Sequence, residues 1–176
     1  MTRLAPTVAA IIMFAVLMAV GAWLSVPMVP VPMSLQTFAV LRAGAVLGPW
    51  RGAGAVLIYL AAAAAGLPVL SDGASGPEPF SGPTAGYLLA FPPAAFVTGL
   101  AARRGWLDKV PSGLATLVGT HALILALGAA WLARSIGAEG AIQHGVTPFL
   151  IGAVVKSALV LATLAGLRRL QLIRRG

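Results

Sequence analysis

The 176-residue chain has no cysteine, four acidic residues and two histidines, and each scarcity removes a class of chemistry. Without thiols there is no disulfide, thiolate or haem attachment. His121 and His144, with so few carboxylates around them, offer no metal-ligand spacing, so no catalytic metal is expected. No Gly-x-Ser-x-Gly surrounds Ser81 or Ser112, and no helical register links a histidine base to either, which argues against a serine hydrolase. A phosphate-binding Walker sequence is missing too, so the chain does not hydrolyse ATP by that route. The sequence reads as that of a protein that is not an enzyme and holds no cofactor.

What is present is apolar surface. Hydrophobic residues make up 59% and charged residues 9% of the chain, with a mean hydropathy of +0.95, values foreign to a soluble domain. The apolar runs are helix-length and rich in Ala, Gly and Leu, without the short alternating strands of an outer-membrane barrel. The expected fold class is an all-α integral membrane protein, one domain over residues 1–176, lying in the cell's inner (plasma) membrane.

Six transmembrane helices are predicted, at about 7–26, 34–48, 52–66, 84–102, 112–132 and 148–167. Arg3 before the first run resembles a signal peptide, but the run has spanning length and reads as a retained helix. Pro27, Pro30 and Pro32 enforce an extended segment after it. Gly48-Pro49 ends the short second helix, with Trp50 and Arg51 as interfacial anchors, and Gly66-Leu67-Pro68 ends the third. The loop at 68–83 holds Asp72 and Glu78 and is long enough for a binding loop. Pro92-Pro93 predicts a kink in the fourth helix. Arg3, Arg51, Arg103, Arg104, Lys109, Arg168, Arg169, Arg174 and Arg175 then share one side and Arg134 lies on the other, so both termini are expected to be cytoplasmic. This placement explains the net charge of +8 without nucleic acid.

One residue does not fit a plain span. Lys156 lies roughly 12 Å from Pro148 and 16 Å from Leu167 along the sixth helix, too deep for an end anchor. Burying its ammonium costs at least about 2.5–3.5 kcal/mol on insertion scales, so such a charge faces a partner, a watery cavity or an anionic ligand; the alternative is that it snorkels to the nearer surface. Small residues four apart, such as Ala5 and Ala9, Ala15 and Ala19, or Gly44, Gly48 and Gly52, permit close helix approach, and ordinary bundle packing uses the same spacing.

Three segments carry a family resemblance: Val31-Pro-Met-Ser-Leu-Gln-Thr-Phe-Ala-Val-Leu41 with Gly44 and Leu47-Gly-Pro49; Tyr59-Leu60 to Gly66-Leu-Pro-Val69; and Gly82-Pro-Thr-Ala-Gly-Tyr-Leu-Leu89 with Phe91-Pro92. Together with Gly128-Ala-Ala-Trp131 and Pro148-Phe-Leu-Ile-Gly152 up to Lys156, they resemble the BioY family, the biotin-binding S components of energy-coupling factor (ECF) vitamin transporters. The resemblance implies a substrate-capture subunit for ATP-driven uptake, whose pocket opens outward beneath the loops after helices 1, 3 and 5. It also implies partners: a transmembrane T component, touched by small residues of helix 1, and two ATPase subunits that consume the ATP. Ala15 and Ala19 are the first choice for that contact, Ala5 and Ala9 the second.

For biotin, Lys156 can neutralise the carboxylate, Gln36 can donate and accept, and Tyr87 offers a ring face and a hydroxyl; Phe80, Gly82 and Gly86 complete the expected ligand-binding set. Each also has a plain structural use. Gln36 can cap the second helix, Tyr87 can sit at the interface, Phe80 can pack in the loop, and the two glycines can serve the turn. Where the family pattern reads Gly-Asp-x-x-Lys, this chain has Gly152-Ala153-Val154-Val155-Lys156, and Arg42 adds a charge within the short second helix. Glu139, His144, Asp72 or Glu78 are candidates to reach in from the outer loops instead. Three alternatives stay open: the same fold binding a different small vitamin-like ligand, a solitary membrane facilitator, and a structural membrane protein with no ligand.

Overall fold

The computed structural model describes residues 4–173, so Arg3, Arg174 and Arg175 lie outside the described residues. Among the described residues there are six α-helices: α1 (Leu4–Trp23), α2 (Gln36–Leu47), α3 (Pro49–Ala64), α4 (Ala85–Arg103), α5 (Val110–Gly145) and α6 (Phe149–Ile173). Between α1 and α2 the proline-rich segment forms a small antiparallel hairpin, β1 (Ser25–Val26) on β2 (Met33–Ser34). Among the described residues four helical stretches are long and apolar enough to cross a membrane: Ala5–Trp23, Ala85–Arg103, Val110–Gly145 and Phe149–Arg169. At 12 and 16 residues, α2 and α3 measure roughly 18 and 24 Å, short of the roughly 30 Å hydrocarbon core.

The largest departure from the sequence reading is α5. The expected helix at 112–132 begins at Val110 and, instead of giving way to a loop, runs to Gly145 with one interruption at Gly137 (φ 77°, ψ 165°). A left-handed glycine redirects the chain in one residue, and the helix then resumes through Ala138, Glu139 and Ala141, good formers on either side of Gly140. A similar device joins α2 to α3. Gly48, at φ 82° and ψ 177°, turns the chain and Pro49 starts α3 at its first position, which needs no N–H donor. Trp50 and Arg51 therefore belong to the first turn of α3, not to a connecting loop. Helix α1 ends at Trp23, before Ser25–Val26 pairs as a strand, and α6 continues beyond the expected residue 167 to Ile173. Pro92 and Pro93 lie inside α4, which continues as one helix through them.

Backbones approach closely where the small residues fall. A β-carbon on Gly44 would lie 2.1 Å from the Ala95 carbonyl oxygen, and one on Gly52 would lie 2.6 Å from the Gly44 Cα. One on Gly99 would lie 2.4 Å from the Pro49 nitrogen. So α2, α3 and α4 pack backbone to backbone at the end of α2, by the small-residue logic of membrane helices. The same end is basic: Arg103 packs beside Gly48, Arg104 stacks over Trp106 at 5.5 Å, and Arg168 pairs with Asp108 at 2.5 Å. The buried core, with Phe14, Met18, Val40, Leu41, Val56, Leu117 and Val160, lies between this end and the opposite one, where a cavity opens.

Candidate functional site

A cavity of about 110 Å³ lies between the hairpin, the start of α2, the loop after α3, and helices α4, α5 and α6. Its walls include the apolar side chains Leu70, Phe91, Ile124, Leu125 and Phe149. Lys156 reaches into it from α6. Its side chain is buried (7% exposed), and Nζ donates to the Ser34 carbonyl oxygen at 3.1 Å, tying β2 to α6. No carboxylate lines the cavity among the described residues, so the ammonium has a dipole for a partner but no counter-charge there.

Gln36 opens α2 and also lines the cavity. Its side-chain N–H donates to the Tyr59 hydroxyl, which in turn donates to the Val69 carbonyl at 2.9 Å, so α2, α3 and the following loop are joined through one phenol. The Ser34 hydroxyl donates to Gln36 Oε1 at 3.4 Å and accepts from the Gln36 backbone N–H at 3.3 Å. Tyr87, on α4, turns its ring to Gly128 of α5, where a β-carbon would sit 2.2 Å from the ring atoms, and its hydroxyl donates to the Gly145 carbonyl at 2.8 Å. Its hydroxyl therefore fastens the end of α5, while the residue still lines the cavity beside Phe149, with ring centroids 6.4 Å apart.

The structure thus gathers Lys156, Gln36 and Tyr87 around one cavity, together with Ala153 one turn before the lysine. Phe80, Gly82 and Gly86 are not among the residues that line it. Phe80 packs against the hydrophobic core, and the Gly82 carbonyl accepts the Trp131 indole N–H at 3.0 Å. Gly86 admits α5, since a β-carbon there would meet the Trp131 Cβ at 2.3 Å. The outer-loop candidates also lie off the cavity: Asp72, Glu78, Glu139 and His144 are exposed and line none of it. Arg42 is half-buried elsewhere on α2, its guanidinium 6.0 Å from the Phe38 ring centre and its Nε without a hydrogen-bond partner. On α1, Ala15 and Ala19 are half-buried against the protein's own core, whereas Ala5 and Ala9 are exposed.

Sequence reasoning passed over a second polar group. His121 of α5 is 3% exposed and lines the cavity, with Nδ1 at 3.1 Å from the Leu117 carbonyl and Nε2 at 3.2 Å from Thr37 Oγ1. Ser157 is fully buried, donating to the Ala153 carbonyl at 2.8 Å with its Oγ 3.0 Å from His121 Nδ1. The pair is not a hydrolytic dyad. Nδ1 faces a carbonyl and so carries the proton, and the serine hydroxyl is already donating elsewhere, which leaves no lone pair to take the serine proton. The signal that could have found this group was present: an ionisable residue inside a predicted span is a site candidate by default, and His121 met that test as well as Lys156 did. Among the described residues no group of acidic or histidine side chains could hold a metal.

Chemically, the arrangement offers one ammonium, one amide, several hydroxyls and an imidazole within apolar walls. Such a lining suits a small amphipathic molecule with an anionic or strongly accepting group. The profile of the BioY family matches residues 1–172 of the chain. A probable biotin transporter BioY of Pyrococcus horikoshii is 41% identical over 154 residues, covering 88% of this chain and 91% of that protein. The biotin transporter BioY of Rhodobacter capsulatus is 41% identical over 172 residues, covering 86% and 90%. In structure, the chain is similar to the S-component for biotin from an ECF-type ABC transporter, with a TM-score of 0.85, 25% identity, and coverage of 96% of this chain and 93% of that one.

Proposed function

This chain belongs to the BioY family of transporters, and from that membership and the chemistry of the cavity we infer that it is the substrate-binding S component of an ECF-type transporter, capturing biotin. The observation that carries the reading is the Lys156 ammonium, buried in a mostly apolar cavity that no carboxylate lines among the described residues. A monocarboxylate with an apolar ring and tail supplies the missing charge and fills the walls, and a ureido group suits an amide such as Gln36. The protein's task is binding, with no bond made or broken.

Placed in a membrane, α1, α4, α5 and α6 have spanning length, and α2 and α3 make the two shorter crossings of a six-span arrangement. The basic end, with Arg51, Arg103, Arg104, Lys109, Arg168 and Arg169, faces the cytoplasm together with both termini, and the cavity end faces outward. The membrane is the plasma (inner) membrane. Because the chain lacks a Walker sequence, two partner ATPase subunits use the ATP, acting through a transmembrane T component that docks on the small residues of α1, where Ala5 and Ala9 are exposed and Ala15 and Ala19 keep part of their surface outside the core. A second reading, a different vitamin-like carboxylate in the same cavity, is favoured by Ala153, which places a methyl group on the wall one helical turn from Lys156.

Titration of the purified, detergent-solubilised protein with biotin tests the reading. Tight binding that Lys156→Met weakens at least about a hundredfold is the expected result. A folded, unmutated protein that does not bind biotin sinks it and turns the search to other carboxylated vitamins.

A further inference from the structure

We propose that Thr37 is the hydrogen-bond acceptor for an N–H group of the ligand, and that His121, held by Leu117 and Ser157, is the positioning residue that makes it one. The inference rests on the reading of the cavity as the biotin site and names a contact within it.

The direction of every bond in this small chain is set from one end. The Leu117 carbonyl can only accept, so His121 Nδ1, 3.1 Å away, carries the imidazole proton. Ser157 adds to this, because its hydroxyl already donates to the Ala153 carbonyl and its oxygen, 3.0 Å from Nδ1, can only accept from that direction. With the proton fixed on Nδ1, Nε2 is left as a bare lone pair. It faces Thr37 Oγ1 at 3.2 Å, so the threonine hydroxyl donates to it. A hydroxyl has one proton, and once that proton is committed the oxygen presents only lone pairs to anything else. Thr37 lines the cavity from the first turn of α2, next to Gln36.

The consequence is a division of labour. Lys156 can only donate, Gln36 has one of its two side-chain N–H groups bonded to Tyr59 and its Oε1 bonded to Ser34, and Thr37, through His121, is turned into an acceptor. Bonds in such a chain polarise one another, so the threonine oxygen is a better acceptor than an isolated hydroxyl in an apolar wall. A ligand that combines a carboxylate with a ring N–H meets a donor and an acceptor in the same cavity. Biotin has both, in its tail and its ureido ring.

The experiment compares biotin with its two ureido N-methyl isomers, by calorimetric titration of the unmutated protein and of Thr37→Val, Thr37→Ser and His121→Phe, each first shown to be folded and monodisperse. Thr37→Val keeps the side chain's shape and removes the oxygen. It is expected to bind biotin about tenfold more weakly and to lose about the same factor in discrimination against one N-methyl isomer. Thr37→Ser restores both, and His121→Phe, which frees the threonine proton, gives part of the same loss of discrimination. A merely structural threonine lowers affinity for all three ligands equally, and that result overturns the assignment, as does a folded Thr37→Val that binds biotin as the unmutated protein does. Absence of biotin binding by the unmutated protein is a different outcome; it overturns the biotin reading first and this contact with it.

Discussion

The two ends of α2 are built on opposite principles. Its first turn, Gln36 and Thr37, meets its neighbours through side-chain hydrogen bonds to Tyr59 and His121 across a cavity. Its last turn meets them through bare backbone, with Gly44 against Ala95 and Gly52, and the Gly48 turn next to Gly99. Side-chain bonds can be exchanged for bonds to a ligand with little motion of the helices. Backbone contacts at these separations cannot open by a few tenths of an ångström without losing the packing that replaces the hydrophobic effect inside a bilayer. One helix of 12 residues thus carries an adaptable end and a rigid end.

The sharpest break of that contrast lies at the rigid end. Gly44→Leu, whose Cβ would lie 2.1 Å from the Ala95 oxygen, is expected to cost more than about 3 kcal/mol, seen as loss of a monodisperse species on size exclusion in detergent. Next in size is Lys156→Met at the adaptable end. It removes an uncompensated buried charge, so biotin affinity falls about a hundredfold while thermal stability in detergent holds or rises. A parallel fall in stability would instead make the lysine a structural tie through Ser34. Tyr59→Phe lies between the two behaviours, because it removes the donor to the Val69 carbonyl and the acceptor for Gln36. A stability loss of about 1–2 kcal/mol with a less than tenfold change in biotin affinity is expected from thermal unfolding and calorimetry. The smallest effects belong to the exposed acids: Asp72→Ala and Glu139→Ala should leave biotin affinity within about twofold. A larger loss in either variant would bring a loop carboxylate to the cavity and blur the contrast.

Much of this was legible in the sequence because membrane helices announce themselves. Lys156 stood out against its apolar run, and the prolines between Val26 and Met33 marked the extended segment that became the hairpin. What stayed hidden depended on single residues in unusual conformations or on contacts between distant helices. The end of α5 reads as a loop, since Gly137, Glu139, Gly140 and Gly145 are poor span residues, yet a single left-handed glycine lets the helix resume and carry Gly145 to the Tyr87 hydroxyl. His121, Thr37 and Ser157 come from three helices, and no local pattern records that an imidazole 84 residues away from a threonine will face it. Gly82 and Gly86 entered the expected ligand set through the family-like segment that begins at Gly82; the structure brings the indole of Trp131 and the backbone of α5 to them.

The hydrogen bonds that close the cavity have one further consequence. Lys156 is bonded to Ser34, Gln36 to Tyr59, Thr37 to His121 and Tyr87 to Gly145, so these four cavity-lining side chains each already have a partner within the protein. Binding is then an exchange reaction. An arriving molecule displaces incumbents and gains only the difference between the bonds it makes and those it dislodges. Fragments that dislodge as much as they replace gain almost nothing, and the site rejects near misses that break these bonds without restoring them.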